Sequence, residues 1–122
     1  MDRRTDILDL RTALEVLRQT PGQLVETDME VDPEAELSGV YRYVGAGGTV
    51  MRPTKVDGPA MVFHNIKGHP DTSVAIGVLA SRQRVANLFG VKKEELGHLL
   101  CECAKAPIQP IGGRCKNLPK DN

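Results

Sequence analysis

His98, Cys101 and Cys103 crowd one short stretch, with Cys115 beyond it. Thiols beside an imidazole can hold zinc or, once deprotonated, attack an electrophile. A structural zinc site needs four converging ligands, usually supplied by closely spaced cysteine pairs. Here His98 and Cys101 share a helix face, but Cys103 diverges from it. The spacing therefore favours Cys103 as a small apolar core residue with Cys101 at the edge of that core. A thiol enzyme built on Cys101, with His98 one helical turn away, is the lesser alternative. Elsewhere, His64, Asn65 and His69 cluster at a predicted strand end and turn, a common place for ligands. The plain reading is a partly exposed turn in which Asn65 and His69 bond local backbone. Arg82, Arg84, Lys92 and Lys93 form a basic concentration near a predicted helix start, where the dipole disfavours positive charge. Either a carboxylate of a neighbouring domain meets them or they make a solvated face, and the solvated face is expected.

Two further runs invite chemistry and lose it on inspection. Gly45-Ala46-Gly47-Gly48 suggests a phosphate cradle, but a helix precedes it, Val50 breaks the glycine pattern and no Lys-Ser/Thr pair follows. It reads as a helix stop and loop. Glu26, Asp28, Glu30 and Asp32 fall two apart, as on one solvated face of an extended segment, and Glu34 and Glu36 enter a helix start that welcomes negative charge.

The elements that would position these residues follow from periodicity. Leu10, Ala13, Leu14 and Leu17 repeat as a helix face, with Asp9 as cap and Pro21-Gly22 as stop. Residues 23–27 read as a strand. Asp32-Pro33 opens a second helix carrying Leu37, Val40, Tyr41 and Val44 as far as Gly45. Residues 45–59 suit a mobile loop, with a small hairpin at Thr49-Val50-Met51. Residues 60–66 read as a buried strand, Lys67-Gly68-His69-Pro70 as a turn, and residues 74–80 as a central strand. Ser81 caps a helix that turns Val85, Leu88 and Phe89 inward and closes at Gly90. A last helix over residues 92–104 carries Leu96, Leu99, Leu100 and Cys103 on one stripe, and Pro107 ends it. The expected fold is a single α/β (α+β) domain, a small mixed β-sheet flanked by about four helices.

Composition narrows the function. The 122 residues suffice for one domain, and 16 basic against 16 acidic residues leave no net charge. A nucleic-acid partner, which needs a basic excess, is not expected, whereas self-association is plausible. Two Tyr, two Phe and no Trp supply no base-stacking platform. No apolar run is long enough for a membrane span, and the N-terminus lacks the apolar segment of a signal peptide. Three cysteines without an export signal point to reduced thiols in the cytoplasm.

Several short motifs occur in order: Gly22-Gln23-Leu24-Val25, Val31-Asp32-Pro33 with Glu36, Gly58-Pro59-Ala60, Asn65-Ile66-Lys67-Gly68-His69 and Ser81-Arg82-Gln83-Arg84. In that order they resemble the N-terminal region of UbiD-family decarboxylases, and the resemblance runs from Asp9 to about Pro107. Within the family it is most similar to the C subunits of bacterial 4-hydroxybenzoate and vanillate decarboxylases. Such enzymes remove CO2 from aromatic or α,β-unsaturated acids with prenylated FMN, Mn2+ and K+. The resemblance implies that flavin, metal and the Glu-Arg-Glu catalytic set belong to a following domain. No residue here is thus assigned a catalytic, cofactor-binding or metal role.

Residues 1–107 are expected to form the UbiD-like N-terminal domain, and residues 108–122 a linker or the shortened start of the cofactor domain. The tail Gly113-Arg114-Cys115-Lys116-Asn117 faintly resembles the segment leading into that domain. The implied function is the non-catalytic portion of a phenolic acid decarboxylase, inactive alone. The alternative is a free-standing module that binds a decarboxylase subunit through Arg82, Arg84 and the last helix.

Overall fold

The computed structural model describes residues 4–46, 57–110 and 112. Expectations for residues 47–56 and 113–122, including the Thr49–Met51 hairpin, the later glycines of the 45–48 run and Cys115, lie outside the described residues.

Helix α1 (Leu10–Gln19) begins as its sequence dictates. The Asp9 carboxylate accepts from Thr12 N at 2.8 Å and the Thr12 hydroxyl accepts from Asp9 N at 3.0 Å, which satisfies amides that a helix start leaves open. Its buried face is Ala13, Val16 and Leu17, whereas Leu10 is exposed. Strand β1 (Leu24–Thr27) leads through an isolated bridge between Val31 and Ile66 to α2 (Glu36–Ala46). Asp32 and Pro33 lie before that helix rather than in it. Asp32 Oδ1 accepts from Glu34 N, Glu36 Oε2 accepts from Asp32 N, and Ala35 takes a positive φ, so the chain turns once before it coils.

Strand β2 (Ala60–Phe63) is buried at all four positions and pairs parallel with β1, Leu24 opposite Ala60 through Thr27 opposite Phe63. Strand β3 (Val74–Ile76) pairs antiparallel on its other side. The sheet order β1-β2-β3 makes β2 the central strand. The expectation of a central strand at 74–80 is therefore corrected: β3 is a short, half-buried edge strand. Its apolar run is real, but only one side finds a strand partner.

Helix α3 (Arg82–Phe89) is capped by Ser81, whose Oγ accepts from Arg84 N, and ends at Gly90 with φ 71°, a left-handed conformation that favours glycine. A 3-10 turn (Lys93–Glu95) feeds α4 (Leu96–Lys105). Two clusters stand out in the core of the described residues. Met61 and Phe63 join Val31, Leu37 and Ile66 beneath α2, with Tyr41, Val44, Val74 and Ile76 at the margin. Ala86, Val91, Leu96 and Leu99 form the second among α3, the 3-10 turn and α4. Helix α1 packs against both β1 and α3. Among the described residues the architecture is the expected small mixed sheet with four helices in an α/β domain. No helix among the described residues is long and apolar enough to cross a membrane.

Candidate functional site

The acidic run does not make the solvated strand face expected of it, because β1 stops at Thr27 and Asp28, Glu30 and Asp32 lie in irregular chain beyond it. Glu26 is instead the hub of a polar chain across the sheet. Arg18 of α1 grips both its oxygens, Nε at 2.7 Å and a terminal nitrogen at 2.9 Å. His64, just past β2, places Nε2 3.0 Å from Glu26 Oε1 and Nδ1 3.1 Å from Ser73 Oγ, just before β3. With its proton on Nε2, the imidazole donates to Glu26 and accepts from the Ser73 hydroxyl. Serine, histidine and carboxylate in series is the order of an acyl-transfer relay. Here all three residues face solvent, and the carboxylate is already committed to a bidentate guanidinium. The assembly therefore acts as a strap that ties α1, β1, β2 and the approach to β3 together.

That strap has a pH signature. The Arg18 hydrogen bonds, followed by the His64 bond, hold the Glu26 carboxyl down to about 2 from an ordinary 4.5, against a burial effect that raises it. A carboxylate depressed in the folded state stabilises the fold fully above its unfolded value and loses that contribution as pH falls through the folded one. Arg18 is half exposed, so solvent screening cuts the contribution to about 1 kcal/mol. Urea unfolding of wild type and Glu26→Gln should differ by about 1 kcal/mol near pH 6 and converge near pH 2. A gap that does not change with pH sinks this assignment.

The other residues singled out by sequence scatter. Asn65 reaches the Asp28 carbonyl at 3.2 Å, a distant partner rather than the expected local one. His69 is exposed and bonds Ile66 O through its backbone amide at 2.9 Å. Cys101 and Cys103 are both exposed free thiols, which corrects the placement of Cys103 in the core. The α4 stripe is narrower than expected: Leu96 and Leu99 are buried, but Leu100 is half exposed. The helix touches the domain mainly at its first turns. Among the described residues, no three His, Cys, Asp or Glu side chains come together as a metal's donors would.

The largest correction concerns Arg84. It is fully buried, not part of a solvated basic face, while Arg82 and Lys92 remain exposed. Both terminal nitrogens of its guanidinium donate to the Gly58 carbonyl, and Nε has no partner. Burial pushes its pKa down, partly offset by Tyr41 and Asp57. Asp57 itself accepts from Ser81 Oγ at 2.9 Å. Arg84 and Ser81 thus fasten the chain entering β2 onto the start of α3. Phe89, expected inward, is 41% exposed because this arginine and Ala86 take the buried face. Nothing local in the sequence marks such an arginine, since its partner lies 26 positions away.

A further feature is a cleft of about 340 Å3 between β1 and α2, floored by Val25, Val31, Val40, Met61 and Phe63 and rimmed by Glu26, Glu30 and Glu36.

Comparison with known proteins decides the family. The description "3-octaprenyl-4-hydroxybenzoate carboxy-lyase N-terminal domain" matches residues 15–104. The chain belongs to the UbiD N-terminal domain family. This UbiD N-terminal domain is 54% identical over 102 residues to the gallate decarboxylase of Lactiplantibacillus plantarum, across 84% of this chain and 21% of that protein. Its fold is similar to that of apo Klebsiella pneumoniae 3,4-dihydroxybenzoic acid decarboxylase, with TM-score 0.77 and 51% identity over 85% of this chain and 21% of that one. It is also similar to Sedimentibacter hydroxybenzoicus vanillic acid decarboxylase, solved in an open form with truncated ShVdcD. There the TM-score is 0.66 and the identity 30%, over 90% of this chain and 22% of that one. The chain spans about a fifth of the length of these relatives.

The UbiD family implies prenylated FMN, Mn2+ and K+, and the described residues do not fit them. No donor set converges for the metal, and the cleft between β1 and α2 has a carboxylate rim that would repel a flavin's phosphate.

Proposed function

We propose that this chain is the N-terminal, non-catalytic portion of a UbiD-like decarboxylase of hydroxyarylic acids, with residues 1–107 as the domain proper. The observation that carries this reading is the likeness to the Klebsiella pneumoniae 3,4-dihydroxybenzoic acid decarboxylase, 51% identical over 85% of this chain but over only 21% of that one. The relatives named for gallate, 3,4-dihydroxybenzoic acid and vanillic acid share one substrate chemistry, a carboxylate on a phenolic ring. Loss of CO2 from such an acid leaves electrons that need a sink, which prenylated FMN supplies in the UbiD family. This chain's part is mechanical: a sheet braced by the Glu26 strap and the Arg84 fastening presents a rigid surface to the cofactor-bearing portion. An odd count of three cysteines supports a reducing, cytoplasmic setting.

Incubated alone with prenylated FMN, Mn2+ and 4-hydroxybenzoate, the chain should release no CO2 above background. Turnover above background overturns the non-catalytic role. The supporting role has its own test, a chimera in which this chain replaces the matching 102 residues of the L. plantarum gallate decarboxylase. The chimera should keep activity within about tenfold, since 54% identity preserves most packing partners. A chimera that folds, binds flavin and shows no decarboxylation counts against the reading.

A second reading is an interaction module for a decarboxylase subunit, favoured by the presence of ShVdcD with the vanillic acid decarboxylase. Arg84 cannot serve such a contact, because it is buried.

A further inference from the structure

Helix α2 covers the β2 side of the sheet and leaves the β1 margin bare. Val25 is 39% exposed, Met29 78% and Val40 37%, and all three line the cleft that reaches down to buried Val31, Met61 and Phe63. An apolar floor open to water is costly unless something covers it. The backbone says what shape the cover takes. Ala60 N donates to Gln23 O and His64 N donates to Thr27 O, so alternate residues of β1 turn their polar groups toward β2. The amides and carbonyls of Leu24 and Glu26 therefore point away from β2, along a sheet margin with no strand beside it among the described residues. The side chains say what charge it carries. Glu30 and Glu36 supply the rim's open charge, with Asp28 and Glu34 exposed in the same stretch, whereas Glu26 on that rim is already paired with Arg18.

We propose that this cleft is a docking site for an extended, basic polypeptide segment from another part of the decarboxylase assembly. The segment adds as a fourth strand on β1, sets aliphatic side chains over Val25, Met29 and Val40, and turns lysines or arginines toward the glutamate rim. Main-chain pairing would supply affinity, alternate side chains the fit, and the rim the choice of a basic partner over an acidic one. The inference rests on the reading of this domain as one portion of a larger enzyme.

The test is a titration of the 15N-labelled full chain, followed by amide shifts, with the peptide Ac-KVKLKVK-NH2. Its acidic counterpart Ac-EVELEVE-NH2 and the polar Ac-KSKSKSK-NH2 serve as controls. Saturable shifts confined to residues 24–31 and the Val40 side of α2 are expected with the first peptide only. The double variant Met29→Lys, Glu30→Lys, at two exposed positions that leave the core intact, should bind about tenfold more weakly or worse. No shifts, equal binding of the acidic peptide, shifts centred on Arg82 and Lys92, or an unaffected double variant each overturn the site. So do the same shifts on raising protein concentration alone, which would assign the cleft to a second copy. The gallate decarboxylase chimera reads the enzyme role separately: an active chimera with a silent titration removes the docking site alone.

Discussion

Replacing Arg84 with alanine should destabilise the domain by about 3 kcal/mol, a large share of the total for a small fold. Two losses add. The Gly58 carbonyl loses both guanidinium donors, and a long side chain with no solvent exposure leaves a void between α3 and the entry to β2. Arg84→Met separates them, because it restores most of the volume without the charge. Burial already works against that charge, no carboxylate bonds the guanidinium, and its Nε is orphaned. The methionine variant should therefore lose only about 1 kcal/mol, chiefly from the unpaired carbonyl. Urea unfolding monitored by circular dichroism measures both. An alanine variant as stable as wild type, or a methionine variant as damaged as the alanine one, refutes this account.

Gly58→Ala should cost a similar amount, about 3 kcal/mol, for a steric reason. A Cβ at Gly58 would overlap the Gly45 carbonyl, so the end of α2 and the approach to β2 could not keep their present contact. Gly45 has no slack to offer, since its own missing side chain faces Tyr41 and the Pro59 carbonyl. Forced apart, the segment would also carry the Gly58 carbonyl away from Arg84. The two substitutions therefore act on one junction and should be strongly sub-additive: adding Gly58→Ala to Arg84→Ala should cost about 1 kcal/mol more rather than about 3. Full additivity in the double-mutant cycle would show that the arginine and the glycine contact are independent.

Much of the fold was legible because its signals are local. Asp9, Ser81 and Gly90 are helix boundaries written in adjacent residues, and each works as its chemistry predicts. The periodic apolar stripes located the four helices of the described residues, and the β-rich run at 60–66 located the buried strand β2. The errors arise where burial depends on distant partners. Leu100 and Cys103 sit on a plausible apolar face of α4 beyond the turns that touch the domain, and Phe89 yields the buried face of α3 to Arg84 and Ala86. The run at 74–80 was apolar enough for a central strand, but a strand is central only if chain arrives on both sides of it.

Residue types and order alone determined the class of the domain, the caps at Asp9, Ser81 and Gly90 and, through the order of short motifs, its kinship with UbiD decarboxylases. Those properties depend on neighbours along the chain, where spacing is geometry. Tertiary structure alone decided that Glu26 meets Arg18 and His64, that Arg84 is buried against Gly58 and that the β1 margin is left open with an acidic rim. Each depends on groups brought together across many residues, and charge, burial and edge exposure exist only once the chain has closed on itself.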